Sequence, residues 1–198
     1  MKTKVYKGKE ALDYLPQIAE LRMEVFRDFP YLYEGSVENE KEYLGRYMEA
    51  PGFMAILAID QGNVVGVSTS LPLEEEIADV TDPFVQKGIP LTSVVYFGES
   101  VLRHSYRGQG IGVTFFNERE AYARELDRES YYFCAVVRSE DHPMKPAGYI
   151  NLHEFWKNRG YEATDMYGTL NWVDIGEESK STKHLQFWHK RIKKATRR

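Results

Sequence analysis

The sequence is short of several things, and each shortage removes a class of protein. It has one cysteine, Cys134, so no internal disulfide can brace the chain, and a reducing, cytoplasmic setting is expected. No apolar run approaches the ~20 residues that span a bilayer, and the N-terminus MKTKVYKGKEALDYL lacks an apolar stretch of signal-peptide length. A soluble protein with no membrane partner is therefore expected. Surplus positive charge is also missing. The formal net charge is −4, which argues against a nucleic-acid partner held by phosphate neutralisation. The five histidines show no zinc-like spacing, with His184 and His189 pointing differently if helical, so no metal site is expected. No Ser–His–Asp arrangement can be argued.

What the chain does have is 198 residues that are 42% apolar, enough for one well-packed domain over 1–198. It is organised around Val94–Leu126. Val94, Val95, Tyr96, Phe97, Val101 and Leu102 give this stretch the β-branched and aromatic character of a buried strand. Past Gly112 the period becomes helical, with Phe115/Phe116, Tyr122/Ala123 and Leu126 recurring on one face. Between the two stand Gly108, Gly110 and Gly112. Glycines there let the backbone turn sharply and bring amide groups close to a ligand, and a helix start favours phosphate oxygens. A plain strand-to-helix turn without a ligand is the alternative. The Walker phosphate loop is excluded because Gly-Lys-Ser/Thr is absent, and a dinucleotide fingerprint needs its third glycine where Val113 sits.

Arg107-Gly108-Gln109-Gly110-Ile111-Gly112 does fit Arg/Gln-x-x-Gly-x-Gly/Ala. On a strand–turn–helix, this motif resembles motif A of the GNAT superfamily of N-acetyltransferases. The resemblance implies an α/β fold with a mixed, splayed central sheet flanked by helices. It also implies acetyl-CoA as co-substrate, its pyrophosphate bound by the amides of residues 108 to 112. The acceptor would be a primary amine, a small molecule in the first reading, acetylated by direct attack. By position, Val101, Leu102 and Arg103 would lend main-chain contacts to the pantetheine arm, Gly98 is a natural place for a bulge, and Tyr131–Arg138 is the parallel partner.

Glu99 lies on this strand, where many family members carry a general base, and partial desolvation would raise its pKa. A structural glutamate paired to an arginine or an amide is the other reading. The family often carries Phe-Tyr-x-x-x-Gly-Phe, its tyrosine protonating the leaving thiolate. Here the run is Phe155-Trp156-Lys157-Asn158-Arg159-Gly160-Tyr161. Trp156 cannot act as the acid and reads as a packing residue lining the pantetheine channel. Either Tyr149 or Tyr161 substitutes, or no acid is used, since a thiol with pKa ~8.5 leaves readily. Cys134 in a buried strand reads as a small apolar residue rather than an acyl carrier. Rival readings are a non-catalytic acyl-CoA-binding module and a protein or peptide acetyltransferase. Whether two copies pair into a homodimer is left open.

In chain order, Thr3–Lys7 reads as a strand, Lys9 to Phe29 as a helix ended by Pro30, and Val37 to Ala50 as a helix capped by Ser36. Tyr31, Tyr33, Tyr43 and Tyr47 cluster about these helices and could wall an acceptor cleft. Met54–Asp60 and Val64–Leu73 read as a hairpin about Gln61-Gly62-Asn63. The acidic segment 74–90 reads as a solvated insertion, helical up to Pro83, with a cation-attracting rim as the alternative. Glu140 to Tyr149 is a loop, Asn151 to Arg159 a short helix, and Tyr161–Asp174 two strands. The tail, 181–198, reads as a basic helix.

Overall fold

A computed structural model describes residues 1–192. Strand β1 (Lys2–Lys7) leads through a 3-10 turn into α1 (Leu15–Phe26), so the single long helix expected from Lys9 is divided at Tyr14. Helix α2 (Val37–Glu49) starts where Ser36 Oγ accepts the Asn39 amide at 3.2 Å. β2 (Met54–Asp60) and β3 (Asn63–Pro72) form a tight hairpin whose corner residues, Gln61 and Gly62, both take positive φ (50° and 85°). Then follow α3 (Ala78–Gln86), β4 (Val94–Tyr96), β5 (Ser100–Leu102), α4 (Ile111–Glu125), β6 (Ser130–Val136), α5 (His153–Lys157), β7 (Glu162–Trp172) and β8 (Ser181–Arg191).

The strands make one mixed sheet in the order β1-β2-β3-β4-β6-β8-β7, with β5 paired to β3. Among the described residues only β4 and β6 run parallel. Helices cover both faces. On one, Ile18 and Leu21 of α1, Leu44 and Met48 of α2, and Phe84 of α3 join Tyr96, Tyr132 and Phe187. On the other, Phe116 and Ala123 of α4 pack with Val95, Phe97, Phe133 and Trp188.

Three expectations need correction. The tail is a strand, not a helix, as far as it is described; 193–198 lie outside the described residues. β8 sits between β6 and β7, so neighbouring strands take its backbone hydrogen bonds, and Lys183, Leu185 and Phe187 are buried at the two-residue period of a strand. Its closely spaced apolar residues, Leu185, Phe187 and Trp188, fit either period over so short a run. The 74–90 segment is not a solvated insertion. Phe84 is fully buried, edge-on to Tyr132 and Phe187 with ring centroids 4.9 and 5.0 Å away, and α3 runs past Pro83 to Gln86. Finally, the run after Tyr161 is one strand with an irregularity between Ala163 and Tyr167, not two strands.

Candidate active site

The site begins where the central strand breaks. β4 pairs with β6 through Tyr96, and the Phe97 amide still donates to Tyr132 O at 2.7 Å. One residue later the chain leaves β6: the Gly98 amide donates to Thr69 O of β3 at 3.2 Å. The register records the cause. Leu71 faces Tyr96 but Ser68 faces Ser100, so the motif strand carries one extra residue, a bulge at the expected Gly98. A Cβ at Gly98 would stand 2.8 Å from Thr69 Oγ1, which holds the Glu99 amide at 3.1 Å, so only glycine fits without displacement.

Beyond the bulge, β5 pairs with β3 alone and its other edge meets no strand among the described residues. Glu99 O accepts from Thr69 N–H at 2.9 Å, and Arg103 N–H donates to Val65 O at 3.0 Å. By the alternation of an antiparallel ladder, Val101 and Arg103 therefore turn their amides to β3, while Ser100 and Leu102 turn theirs to the open edge. Of the three residues expected to offer main-chain donors, only Leu102 does so.

A 3-10 turn at His104–Tyr106 leads into the glycine loop, anchored by Tyr106 OH donating to Asp60 Oδ2 at 3.0 Å. Gly108 and Gly110 adopt φ of 75° and 82°, left-handed conformations that disfavour any side chain. The Arg107 amide is taken by His104 O, the Thr114 amide by Gly110 O, and the Gln109 side chain by Ser105 O. Between them, no protein acceptor among the described residues takes the amides of 108–113. A run of free N–H groups at the start of a 15-residue helix, reached from an unpaired strand edge, could hold an anionic group.

On the opposite face of the sheet, a cavity of about 560 Å³ opens at the same bulge, where Tyr96, Gly98 and Glu99 form part of its wall. Tyr31, Tyr33, Tyr43 and Tyr47 all line it, as does Trp172. Its most buried charges form a triad: Arg22 contacts Glu99 and also Glu40, at 2.5 Å. The arginine lies 4.5 Å over the Tyr43 ring. Burial pulls the Arg22 guanidinium down, but Tyr43 and Glu40 carry it above its ordinary value. One guanidinium thus faces two carboxylates at the cavity wall. Glu99 is therefore an ion-paired carboxylate, not an isolated one. Glu34, Glu42 and Asp79 add further acid to the rim, partly offset by Arg46 and Lys180.

The remaining candidates are scattered. Cys134 lies in the cavity wall 3.0 Å from Tyr96 OH, and burial pushes its thiol up to about 12, which leaves it a poor nucleophile. Tyr149 is half-buried, edge-on to Phe29 at 4.8 Å; burial raises its hydroxyl and nearby Arg107 opposes that. Tyr161 is fully buried beneath α4, donating to Glu120 Oε1 at 3.0 Å, and burial followed by that glutamate holds its hydroxyl well above the usual range. Trp156 packs on Phe133 and Trp188, each at 5.0 Å, while its neighbour Phe155 faces Gly112. Sequence reasoning missed Arg22, Glu40 and Glu76. A signal existed for the first two: Arg22 follows Ile18 by four on the buried face of α1, and Glu40 precedes Leu44 by four on α2.

No family profile and no curated protein matches the chain. Solved structures do match it over nearly their whole length. An aminoglycoside 6′-N-acetyltransferase complexed with coenzyme A superposes with TM-score 0.58 at 17% identity, covering 98% of this chain and 99% of that one. A ribosomal-protein-alanine N-acetyltransferase from Brucella melitensis does so with TM-score 0.58 at 18% identity, over 96% and 99%. The chain has the GNAT fold. An aminoglycoside 6′-acetyltransferase type Ii, at 18% identity and TM-score 0.58, covers 98% of this chain and 100% of its own. Within the GNAT fold, then, two neighbours whose names give unlike acceptors are equally similar to this chain, and fold likeness does not choose between them. No helix among the described residues is long and apolar enough to cross a membrane.

Proposed function

We propose that this protein is an acetyl-CoA-dependent N-acetyltransferase whose acceptor is a small, cationic primary amine. The observation that carries the proposal is a coincidence of place. The bulge at Gly98 both opens the β5 edge towards the glycine loop and borders the acid- and tyrosine-lined cavity. Acetyl-CoA would supply an activated thioester at that junction. The amides of 108–113 would hold its diphosphate, and the outward Leu102 amide its amide-bearing arm.

The chain's own residues supply the rest. The two carboxylates of the Arg22–Glu40–Glu99 triad attract an ammonium, with Glu99 as the one that orients it beside the bulge. The tyrosines offer ring faces to the same cation. A cavity of about 560 Å³ falls within the size of small-molecule sites, about 300–1,000 Å³. If a phenol protonates the leaving thiolate, the half-buried Tyr149 is the better assignment, because the Tyr161 hydroxyl is already committed to Glu120.

Thiol release from acetyl-CoA with a panel of small primary amines tests the reading. Turnover is expected, with Glu99→Gln raising KM for the amine while leaving acetyl-CoA affinity unchanged. Tight acetyl-CoA binding without turnover on any amine would instead favour a non-catalytic acyl-CoA-binding module.

A further inference from the structure

The proposed reaction leaves one step without an owner. An ammonium attracted to the triad must lose a proton before its nitrogen can attack, and Glu99 is already engaged by Arg22. A second carboxylate is hydrogen-bonded to a tyrosine of the same cavity wall. Glu76, between the 3-10 turn Leu73–Glu75 and α3, has no ion pair among the described residues. Both its oxygens accept from Tyr47 OH, at 2.8 and 2.6 Å, and Oε2 also accepts the Ile77 amide at 3.2 Å. Tyr47 itself lines the cavity, its ring 4.6 Å from that of Tyr43.

We infer that Tyr47 and Glu76 form the proton exit of the acceptor cavity, a reading that rests on the acetyltransferase function proposed above. The ammonium gives an N–H proton to Tyr47 Oη while the tyrosine hands its own hydroxyl proton to Glu76. The nitrogen keeps its electron pair for attack, Tyr47 ends as a neutral phenol, and the carboxylate ends as a carboxylic acid. Tyr47 is the catalytic residue of the pair because it meets the acceptor; Glu76 acts through it, as a positioning residue. The order of events suits the phenol, which burial and then Tyr43 and Glu76 keep protonated far above neutral pH, so that it relays rather than ionises.

The surroundings fix the direction of the pH dependence. Burial raises the Glu76 carboxyl above its ordinary value, opposed by the Tyr47 and Ile77 hydrogen bonds and by Arg46. The other titratable groups that act with it are Tyr43 on α2, Tyr96 on β4 and Cys134 on β6, all of them neutral while protonated. The relay works only while Glu76 is ionised. Turnover should therefore fall on the acid side, through a limb lying above the usual carboxylate range.

The test is the pH dependence of kcat and kcat/KM for the best amine of the panel, in Glu76→Gln and Tyr47→Phe. Each is expected to lower kcat by about 10²–10⁴-fold with little change in acetyl-CoA affinity and to remove the acid limb; Glu76→Asp should restore part of the rate. The double variant should cost no more than either single one, because the two act in series. Tyr47→Phe keeps the ring packing and serves if Glu76→Gln does not fold. An acid limb that stays in place in both variants overturns the relay alone. Absence of turnover by the wild type, with acetyl-CoA still bound, overturns the enzyme reading and the relay with it.

Discussion

The glycine loop and the tyrosine-lined cavity lie at the two ends of one broken strand, the loop after β5 and the cavity at the Gly98 bulge before it, yet they are made of different material. The loop is backbone: left-handed glycines and unclaimed amides, with exposed residues from Arg107 to Gly110. The cavity is side chain: a buried Arg22–Glu40–Glu99 triad, five tyrosines and a tryptophan, contributed by α1, α2, β4 and the chain about β7. A binding surface made of main chain tolerates varied side chains provided that its glycines stay. One made of buried charges is coupled to the stability of the whole domain, because every member must be paired.

That contrast can be broken most forcefully at Arg22. Arg22→Met would leave Glu40 and Glu99 buried without a counter-charge, and a loss of about 3–5 kcal/mol is expected in denaturant unfolding. A loss below about 1 kcal/mol would show the triad to be solvated and the contrast false. Gly110→Asp should do the reverse. It forces a side chain into φ 82° and sets a carboxylate against the diphosphate, at a cost of about 1–3 kcal/mol. Acetyl-CoA affinity should fall about 10–100-fold in calorimetry, while the unfolding midpoint should fall less than in Arg22→Met, since a Cβ at Gly110 meets nothing within 4 Å and only the backbone strain of φ 82° counts against the fold. The smallest effect is one of pH. Arg138 donates to Pro30 O and Tyr31 O and also holds Asp174, so it ties the tyrosine wall to the β7 end of the sheet. Burial raises the Asp174 carboxyl, but Arg138 and then Lys183 bring it below its ordinary value. A carboxyl lowered by folding stabilises the fold above its unfolded pKa, near ~3.9, and that contribution is lost as pH falls through the lower folded value. Thermal melts of Asp174→Asn should therefore fall less steeply than the wild type on acidification below that range, whereas the loop, which has no ion pair of this kind, should contribute nothing to the difference.

Legibility follows the same division. The Gly98 bulge and the Gly108–Gly112 turn could be read in advance because glycine at such places reports a backbone need that other residues cannot meet. The hairpin about Gly62 and the Ser36 cap were legible for the same local reason. Glu99 was legible only as a choice between base and ion-paired carboxylate, since its partner Arg22 lies 77 positions earlier on another helix. Likewise, nothing near Glu76 in the chain announces Tyr47, 29 residues away. β8 was misread because a tail rich in both charge and aromatic residues fits either period, and only flanking strands on both sides decide for extension.

By itself, then, the sequence determined the elements whose cause is local: glycine conformations, caps, the hairpin and the apolar central strand with its glycine turn. The tertiary structure alone decided which amides the ladder leaves open, which charges are neutralised, and which tyrosine meets which carboxylate. Those are contacts between segments far apart in the chain, and their energies depend on burial that no single segment possesses before the sheet and its helices close around it.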